Sequence, residues 1–362
     1  MLRIAFFVSS HGFGHAARAC AVMEELIRTE PSLKIDIYSQ TPAAFFHGSL
    51  SAPVNVFSCA TDVGLIQKTP FEADLPASAD QIAAFLDFDS ETLRSQANFL
   101  RKRRTALVIS DISPLGIMVA HTAGLKSVLI ENFTWDWIYA DFTAEYPRFA
   151  TLAENMALIF SRADLHIKTQ PVCDNEGPHD LLVGPLARRP RRDRAEVRAD
   201  LGVPESHALV MLTQGGIASP TPFTTRLLNL PQVSFIVTGA QETKRVRNLL
   251  LLKNDASRYL PDELAACDVI VCKVGYSTLA EAWQAGIPVL AINRPGWRES
   301  ATLAQFVSTF PGSAMIDEQR YLSGDWLQEQ LPVLLKKPRK PAPDADAGLR
   351  RTAAAVLQLL EP

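Results

Sequence analysis

The chain has 362 residues, a length that suits two compact domains better than one. Its 36 basic and 39 acidic side chains leave a net charge of −3, which is no electrostatic footprint for nucleic acid. With 47% apolar and 21% charged residues it is a globular protein with a sizeable core, and no apolar run approaches the roughly 18 residues of a membrane span. A cytoplasmic location is therefore expected, with peripheral contact as the remaining membrane option.

The start, MLRIAFFVSS, has an apolar stretch too short for a signal peptide and runs directly into a helix pattern. It reads as a first strand over residues 3–9, followed by a helix over 16–28. Strands are predicted at 34–38 and 54–58, a helical stretch at 79–104, and strands at 106–110 and 127–130, with a further helix between these two. This alternation predicts a parallel sheet with helices on both faces. A break follows at 184–194, where Pro185, Pro190 and several arginines have linker composition. The pattern then restarts with a helix at 193–201 and strands at 208–213, 234–238, 269–272 and 289–293. A second Pro- and Lys-rich stretch, 336–343, precedes a final helix ending near Leu360. The fold class is α/β with two Rossmann-like, doubly wound domains, 1–184 and 185–343.

Several features read as structural. The five cysteines form neither an even set nor a metal spacing, so reduced, partly buried thiols are expected, including Cys267 and Cys272. The basic runs at 101–104 and 188–194 read as solvated, with an anionic substrate or lipid as the alternative. Asp87-Phe88-Asp89 offers a metal-binding pair, but it lies in a helical polar stretch rather than at a strand end. The aromatic stretch 135–139 suits either a core-packing helix or a stacking surface for an acceptor.

The first chemistry-bearing loop is Ser9-Ser10-His11-Gly12-Phe13-Gly14-His15, at the carboxyl end of the first strand, where ligands bind in such sheets. Gly12 and Gly14 allow a tight turn and close backbone approach. The dinucleotide spacing fails because position 17 is Ala, and no Walker lysine follows. His15 suits proton abstraction near neutrality, or caps the helix. Asp111 ends the strand on the same rim. It either orients His15 or caps the next helix, a task for which Ser113-Pro114 is also suited.

The second half is denser. Thr213-Gln214-Gly215-Gly216 and Thr238-Gly239 end successive strands, as phosphate-approaching loops do. Lys273, Gly275, Ser277, Thr278 and Glu281 then follow as strand end, turn and helix. Gly275 permits the turn, Ser277 is a natural N-cap, and the N–H groups beyond it suit a diphosphate. Glu281, one turn on, can accept from sugar hydroxyls. The bland reading is a capped helix with a fortuitous glutamate. Ala285-Gly286-Ile287-Pro288 closes this helix and opens the next strand.

On these residues the chain resembles the GT-B glycosyltransferase superfamily, in particular the branch of the peptidoglycan N-acetylglucosaminyltransferase. The run from Gly275 to Pro288, with Lys273 before it and Arg298-Glu299 after it, is similar to that branch's nucleotide-sugar signature. The resemblance implies that Glu281 holds the ribose, the glycine-serine turn holds the diphosphate, and the backbone at Tyr259-Leu260 reads the base. It also implies that the final helix, 344–362, packs back on the first domain. Gly12-Phe13-Gly14-His15-Ala16-Ala17-Arg18 resembles a Gly-His-x-x-Arg loop of nucleotide-sugar hydrolases and of the glycosyltransferase-like domain of arabinokinases, and Asn132-Phe133-Thr134-Trp135-Asp136-Trp137 resembles the latter. Two departures concern the donor's identity: Thr-Gln-Gly-Gly replaces a Gly-Gly-Ser type loop, and Lys273 stands where several relatives carry another residue.

The expected function is transfer of a sugar from a nucleoside diphosphate sugar, a UDP-sugar first, bound in a cleft between two α/β halves. His15 oriented by Asp111 would act as base, with inversion and without a metal or other cofactor. The acceptor is not legible. A nucleotide-sugar hydrolase, a non-catalytic nucleotide-sugar-binding protein and a nucleotide-sugar epimerase are the competing readings.

Overall fold

A computed structural model describes residues 2–69, 72–215, 221–253, 255 and 258–361. The chain forms two compact units, Met1–Leu186 with Asp346–Pro362, and Ala187–Ala345.

The first unit is built on seven parallel strands: β1 (Arg3–Val8), β2 (Lys34–Tyr38), β3 (Asn55–Phe57), β4 (Leu107–Asp111), β5 (Lys126–Glu131), β6 (Leu165–Thr169) and β7 (Leu181–Val183). Their order is β3-β2-β1-β4-β5-β6-β7. Ile4 through Val8 are all buried, which requires cover on both faces and explains the unbroken apolar run. The chain moves outward from β1 to β3 and returns to β4 on the other side of β1. That reversal makes a topological switch point at the carboxyl ends of β1 and β4.

Helix α1 (Phe13–Thr29) begins three residues before the predicted start at Ala16, directly after Gly12. The single helix predicted over 79–104 is two, Leu75–Leu86 and Ser90–Lys102. Phe88 has φ 39° at the break, and the Asp89 carboxylate accepts from Thr92 N at 2.7 Å. The Asp-x-Asp pair therefore punctuates two helices, and Asp89 is used as an N-cap. Helix α2 (Pro114–Ala123) packs so close to the sheet that a Cβ on Gly116 would lie 2.3 Å from Ser110 Oγ. A short helix, α3 (Trp135–Ala140), follows β5. The basic run at 101–104 is exposed at Arg101, Lys102 and Arg104, as expected, while Arg103 is half-buried and donates to the buried Asp36 carboxylate; Arg101 also donates to the carbonyls of Thr122 and Ala123.

The second unit carries β8 (Ala208–Thr213), β9 (Val233–Ala240), β10 (Lys244–Val246), β11 (Leu249–Lys253), β12 (Val269–Lys273), β13 (Val289–Ile292) and β14 (Ala314–Ile316). The order is β10-β11-β9-β8-β12-β13-β14, with only the β10–β11 pair antiparallel. Successive residues alternate between two cores: Leu209, Met211, Ile270 and Cys272 face one, and Val210, Leu212, Val269 and Val271 the other. The switch point here lies between the carboxyl ends of β8 and β12. Helices α4 (Leu260–Ala266), α5 (Tyr276–Ala285) and α6 (Glu299–Ser308) flank this sheet in the chain. The Pro- and Lys-rich stretch at 336–343 straps the ends of two of them. Arg339 donates to Ala265 O and Ala285 O at 2.9 and 3.0 Å, and Lys340 N to Gly286 O at 2.9 Å.

The last helix, α7 (Ala347–Gln358), belongs to the first unit, where it packs on α1 and β7. No helix among the described residues is long and apolar enough to cross a membrane. No disulfide links the five cysteines, and burial pushes the Cys272 thiol up to about 12, so it packs rather than reacts.

Candidate active site

In the first unit the loop after β1 turns at Gly12, whose φ of 80° favours glycine although a Cβ there would meet nothing within 4 Å. Gly14 and His15 lie in the first turn of α1. His15 and Arg18, three residues apart, share one helix face. Both reach Asp111, the last residue of β4. His15 Nδ1 lies 2.9 Å from Asp111 Oδ1, while Arg18 Nε and Nη2 donate to Oδ2 and Oδ1 at 2.8 and 2.6 Å. Arg18 Nη1 also donates to Asn132 Oδ1. All four side chains are buried. Burial alone would raise the Asp111 carboxyl; the Arg18 charge and the hydrogen bonds from His15 and Arg18 outweigh it and hold the group below its usual range. The capping role falls to Ser113, whose Oγ accepts from Gly116 N at 3.1 Å, so Asp111 is left to His15 and Arg18. With Nδ1 turned to Asp111, the second ring nitrogen, Nε2, is engaged by no described residue.

Around this group stand aromatic rings and one further acid. Trp135 and Tyr139 are core residues; the indole N–H donates to Asp62 Oδ2 at 2.7 Å and the phenol to Val63 O at 2.5 Å. The 135–139 stretch is thus mainly packing, with Trp137 half-buried. His11 meets the Trp135 ring edge-on at 5.2 Å, and its imidazole fills the space a Cβ on Gly64 would need. Asp62 is buried, and that burial raises its carboxyl, against hydrogen bonds from Ser9 and Trp135 and the charge of His15.

In the second unit β8 ends at Thr213, whose Oγ1 accepts from the Thr238 hydroxyl at 2.9 Å and lies 3.4 Å from Gly215 N. Thr238 is thereby spent on shaping the loop, and Gly239, φ 89°, sits at the irregularity where β9 slips register against β11. Gln214 is half-buried beside it. Gly215 has φ 67°, and a Cβ there would lie 3.0 Å from Lys273 Cε. Gly216 lies outside the described residues. Lys273 ends β12 half-buried, and among the described residues its ammonium pairs with no carboxylate. Burial, then the charge of Arg294, lowers it to about 8.

Two expectations about the next turn are corrected. The N-cap of α5 is Gly275, not Ser277, and its φ of −167° is extended backbone, so no left-handed turn requires glycine there. No side chain caps this end of the helix, which follows directly on the turn from Lys273. Glu281 is buried and accepts from Arg188 Nε at 2.8 Å; burial raises its carboxyl and Arg188 opposes that. The arginines expected to be solvated are therefore partly built in. Arg188 is buried, Arg191 stacks 3.8 Å above the Tyr259 ring, and the Tyr259 hydroxyl donates to Arg189 O at 2.6 Å. Tyr259 and Leu260 are the N-cap and first residue of α4, and Arg298 stands at the N-cap position of α6.

Against known proteins, residues 2–322 match the model of the family described as Glycosyl transferase family 1. The chain belongs to that family. The L-arabinokinase of Arabidopsis thaliana is 28% identical over 331 residues, covering 90% of this chain and 31% of that protein, so the chain spans about a third of that relative's length. Among solved structures, the glycotransferase of kitacinnamycin aligns with TM-score 0.64 at 15% identity over 99% of both chains. MurG of Acinetobacter baumannii aligns with TM-score 0.54 at 11% identity, again over 99% of both. At such identities these likenesses establish the fold, which is GT-B.

In this glycosyltransferase the structure gathers the candidate residues into three groups. His15 and Asp111 meet beside Gly12 and Gly14 in the first unit. Gln214, Gly215 and Lys273 meet at the second switch point, next to the open end of α5. Glu281 and Tyr259 meet through the 188–191 segment. Arg18 and Asn132 stood in the sequence only as members of the Gly-His-x-x-Arg loop and of the 132–137 motif, with no role assigned, although the i, i+3 spacing of Arg18 from His15 was a signal; Asp62, delivered by the loop after β3, carries no local mark.

Proposed function

We propose that this glycosyltransferase transfers a sugar from a nucleoside diphosphate sugar, a UDP-sugar first, to an acceptor hydroxyl by direct displacement with inversion. The observation that carries this reading is His15, with Nδ1 fixed by Asp111 and Nε2 engaged by no described residue. His15 Nε2 takes the acceptor's hydroxyl proton as that oxygen bonds to the anomeric carbon. The bond from that carbon to the diphosphate oxygen breaks, and its electron pair leaves with the diphosphate. Support for an anionic leaving group comes from Lys273, a desolvated cation beside a glycine loop, and from the uncapped N-terminus of α5. These positive groups meet the developing charge, so the reading assigns no step to a metal. Tyr259 with Arg191 offers a planar surface for a base, and Glu281 an acceptor for ribose hydroxyls.

The test has two stages. A thermal-shift screen of nucleotide sugars identifies the donor, since a ligand that binds only the folded state raises its melting temperature. Release of the nucleoside diphosphate is then followed with and without an acceptor panel. H15A is expected to lower turnover by about 10²–10⁴ while nucleotide affinity changes less than about twofold. Unchanged turnover in H15A would remove the assigned base. Rapid stoichiometric release without acceptor would replace the transferase by a hydrolase, and binding without turnover on any acceptor would replace it by a sensor.

A further inference from the structure

Two groups of opposite hydrogen-bonding kind compete for one nitrogen of His15. Nδ1 lies 2.9 Å from Asp111 Oδ1 and 3.1 Å from Arg18 Nη2, and Nη2 lies 2.6 Å from that same Oδ1. An ionised carboxylate only accepts, and a guanidinium only donates. Nδ1 therefore either carries hydrogen and donates to Asp111, or holds a lone pair and accepts from Arg18. The choice decides the far end of the neutral ring. In the first form Nε2 holds the lone pair that a base needs. In the second Nε2 carries the hydrogen and has nothing with which to take a proton.

The way Arg18 meets Asp111 favours the first form. Its Nε and Nη2 bind Oδ2 and Oδ1 side by side at 2.8 and 2.6 Å, the paired geometry in which an arginine fork holds a carboxylate in its own plane. The remaining arm, Nη1, donates to Asn132 Oδ1. Asn132 is fixed in turn: its carbonyl accepts from Cys173 N at 2.8 Å, and its amide nitrogen lies 3.8 Å from Cys173 Sγ. Arg18 and Asn132 are 1% and 0% exposed. One guanidinium thus joins α1, the end of β4 and the loop after β5, and Asp111 turns only by breaking a paired bond. The bond from Nη2 to Oδ1 is the shorter and links two charges, so it holds the Nη2 hydrogen away from the imidazole. Nδ1 then meets Oδ1 as an acceptor and must bring the hydrogen itself. A simple ion pair would need only a positive charge beside Asp111; the fork and its anchor on Asn132 add the orientation.

We propose that Arg18, anchored by Asn132, is a positioning residue that fixes the plane of the Asp111 carboxylate and so keeps the neutral His15 ring with its hydrogen on Nδ1 and its lone pair on Nε2. This rests on the reading of His15 as the base. The acceptor's proton goes to Nε2, and Arg18 and Asp111 neither gain nor lose one during the step.

The experiment reads the tautomer directly. Nitrogen-15 NMR of the full chain without ligand, at about pH 9, separates a ring nitrogen that carries hydrogen from one that holds a lone pair, and H15Q identifies the His15 signals. The native ring is expected to carry its hydrogen on Nδ1. R18K keeps the positive charge and loses the fork, and should move both nitrogen signals toward the other tautomer. In the nucleotide-release assay R18K should lower kcat about 10–10³-fold while donor KM and UDP affinity change less than about twofold, because a histidine held in the wrong tautomer loses most of its effect as a base. N132A removes the acceptor of Nη1 and leaves the pair with Asp111; it should shift the same signals less far, and it decides the matter where R18K does not fold. A native ring with its hydrogen on Nε2 overturns the proposal, and so do variant spectra that superimpose on the native one, since charge alone would then suffice. Full turnover in H15A sinks the base but leaves a tautomer shift in R18K standing, so the two failures are told apart.

Discussion

On the proposed function, Lys273 is the residue where binding and stability oppose each other. Its ammonium is desolvated, faces the like charge of Arg294, and has no carboxylate among the described residues. Because its folded-state pKa, about 8, lies below the ordinary lysine value, the folded protein is penalised for the charge at pH 7, and the penalty fades as pH rises from about 8 toward 10.5. A diphosphate reverses the preference by favouring the charged form. Calorimetry of UDP binding should therefore find affinity steady below pH 8 and falling above it, by at most about tenfold per unit for one proton. K273M should bind UDP weakly with no such fall, and without nucleotide should melt higher than the native protein at pH 7. A native affinity flat from pH 7 to 9.5 would exclude Lys273 from the anion site. His15 and Lys273 were legible as chemistry because each sits where a strand feeds a helix. Arg188 was not, because its partner Glu281 is brought to it by the fold and nothing local distinguishes it from the solvated Arg192.

At the level of elements, two helices end in the same way but in different surroundings. Gly124 closes α2 and Gly286 closes α5, with φ of 67° and 66°. A Cβ on Gly124 meets nothing within 4 Å, whereas one on Gly286 would lie 2.1 Å from the Lys340 carbonyl carbon. G124A should cost about 1–2 kcal/mol, the ordinary left-handed penalty. G286A should cost clearly more, since the strap at 339–341 must lift and release its hydrogen bonds to the helix ends. Equal losses in chemical denaturation would mean that the strap yields freely. Gly286 was read from sequence as a helix stop, but the strap was not, because Lys-Pro-Arg-Lys-Pro composition looks like a linker whether or not a helix end lies beneath it. The strands at 34–38 and 208–213 were read to the residue, their apolar patterns ending at turn residues. The β10–β11 hairpin was missed for the opposite reason. Leu249 to Leu252 do not alternate, and the turn places Arg247 at φ 54° without a glycine.

Over the whole molecule, the first unit is assembled from two distant pieces of chain. Helix α7 buries Leu349, Ala353 and Val356 there, against α1 and β7. A chain ending at residue 345 should lose about 3–6 kcal/mol from the first unit, from the larger two of these side chains and the surface they cover. Hydrogen exchange should locate the loss, with faster exchange in α1 and unchanged protection in β8 and β12. Uniform acceleration in both sheets would show that the units unfold as one. The two-sheet architecture itself was legible, because the β-α-β pattern halts near residue 184 and starts again.

The same arrangement orders events during synthesis. The segment 187–345 is contiguous, so it leaves the ribosome complete, while the unit holding His15 still lacks the helix that covers α1. At about 5–20 residues per second that interval lasts on the order of a second. In it, the sheet of the second unit can close around its own core while the apolar flank of α1 stays bare. A nascent chain is thus most open to chaperone capture, or to pairing with a neighbour on the same message, once its second unit has been made and before α7 emerges.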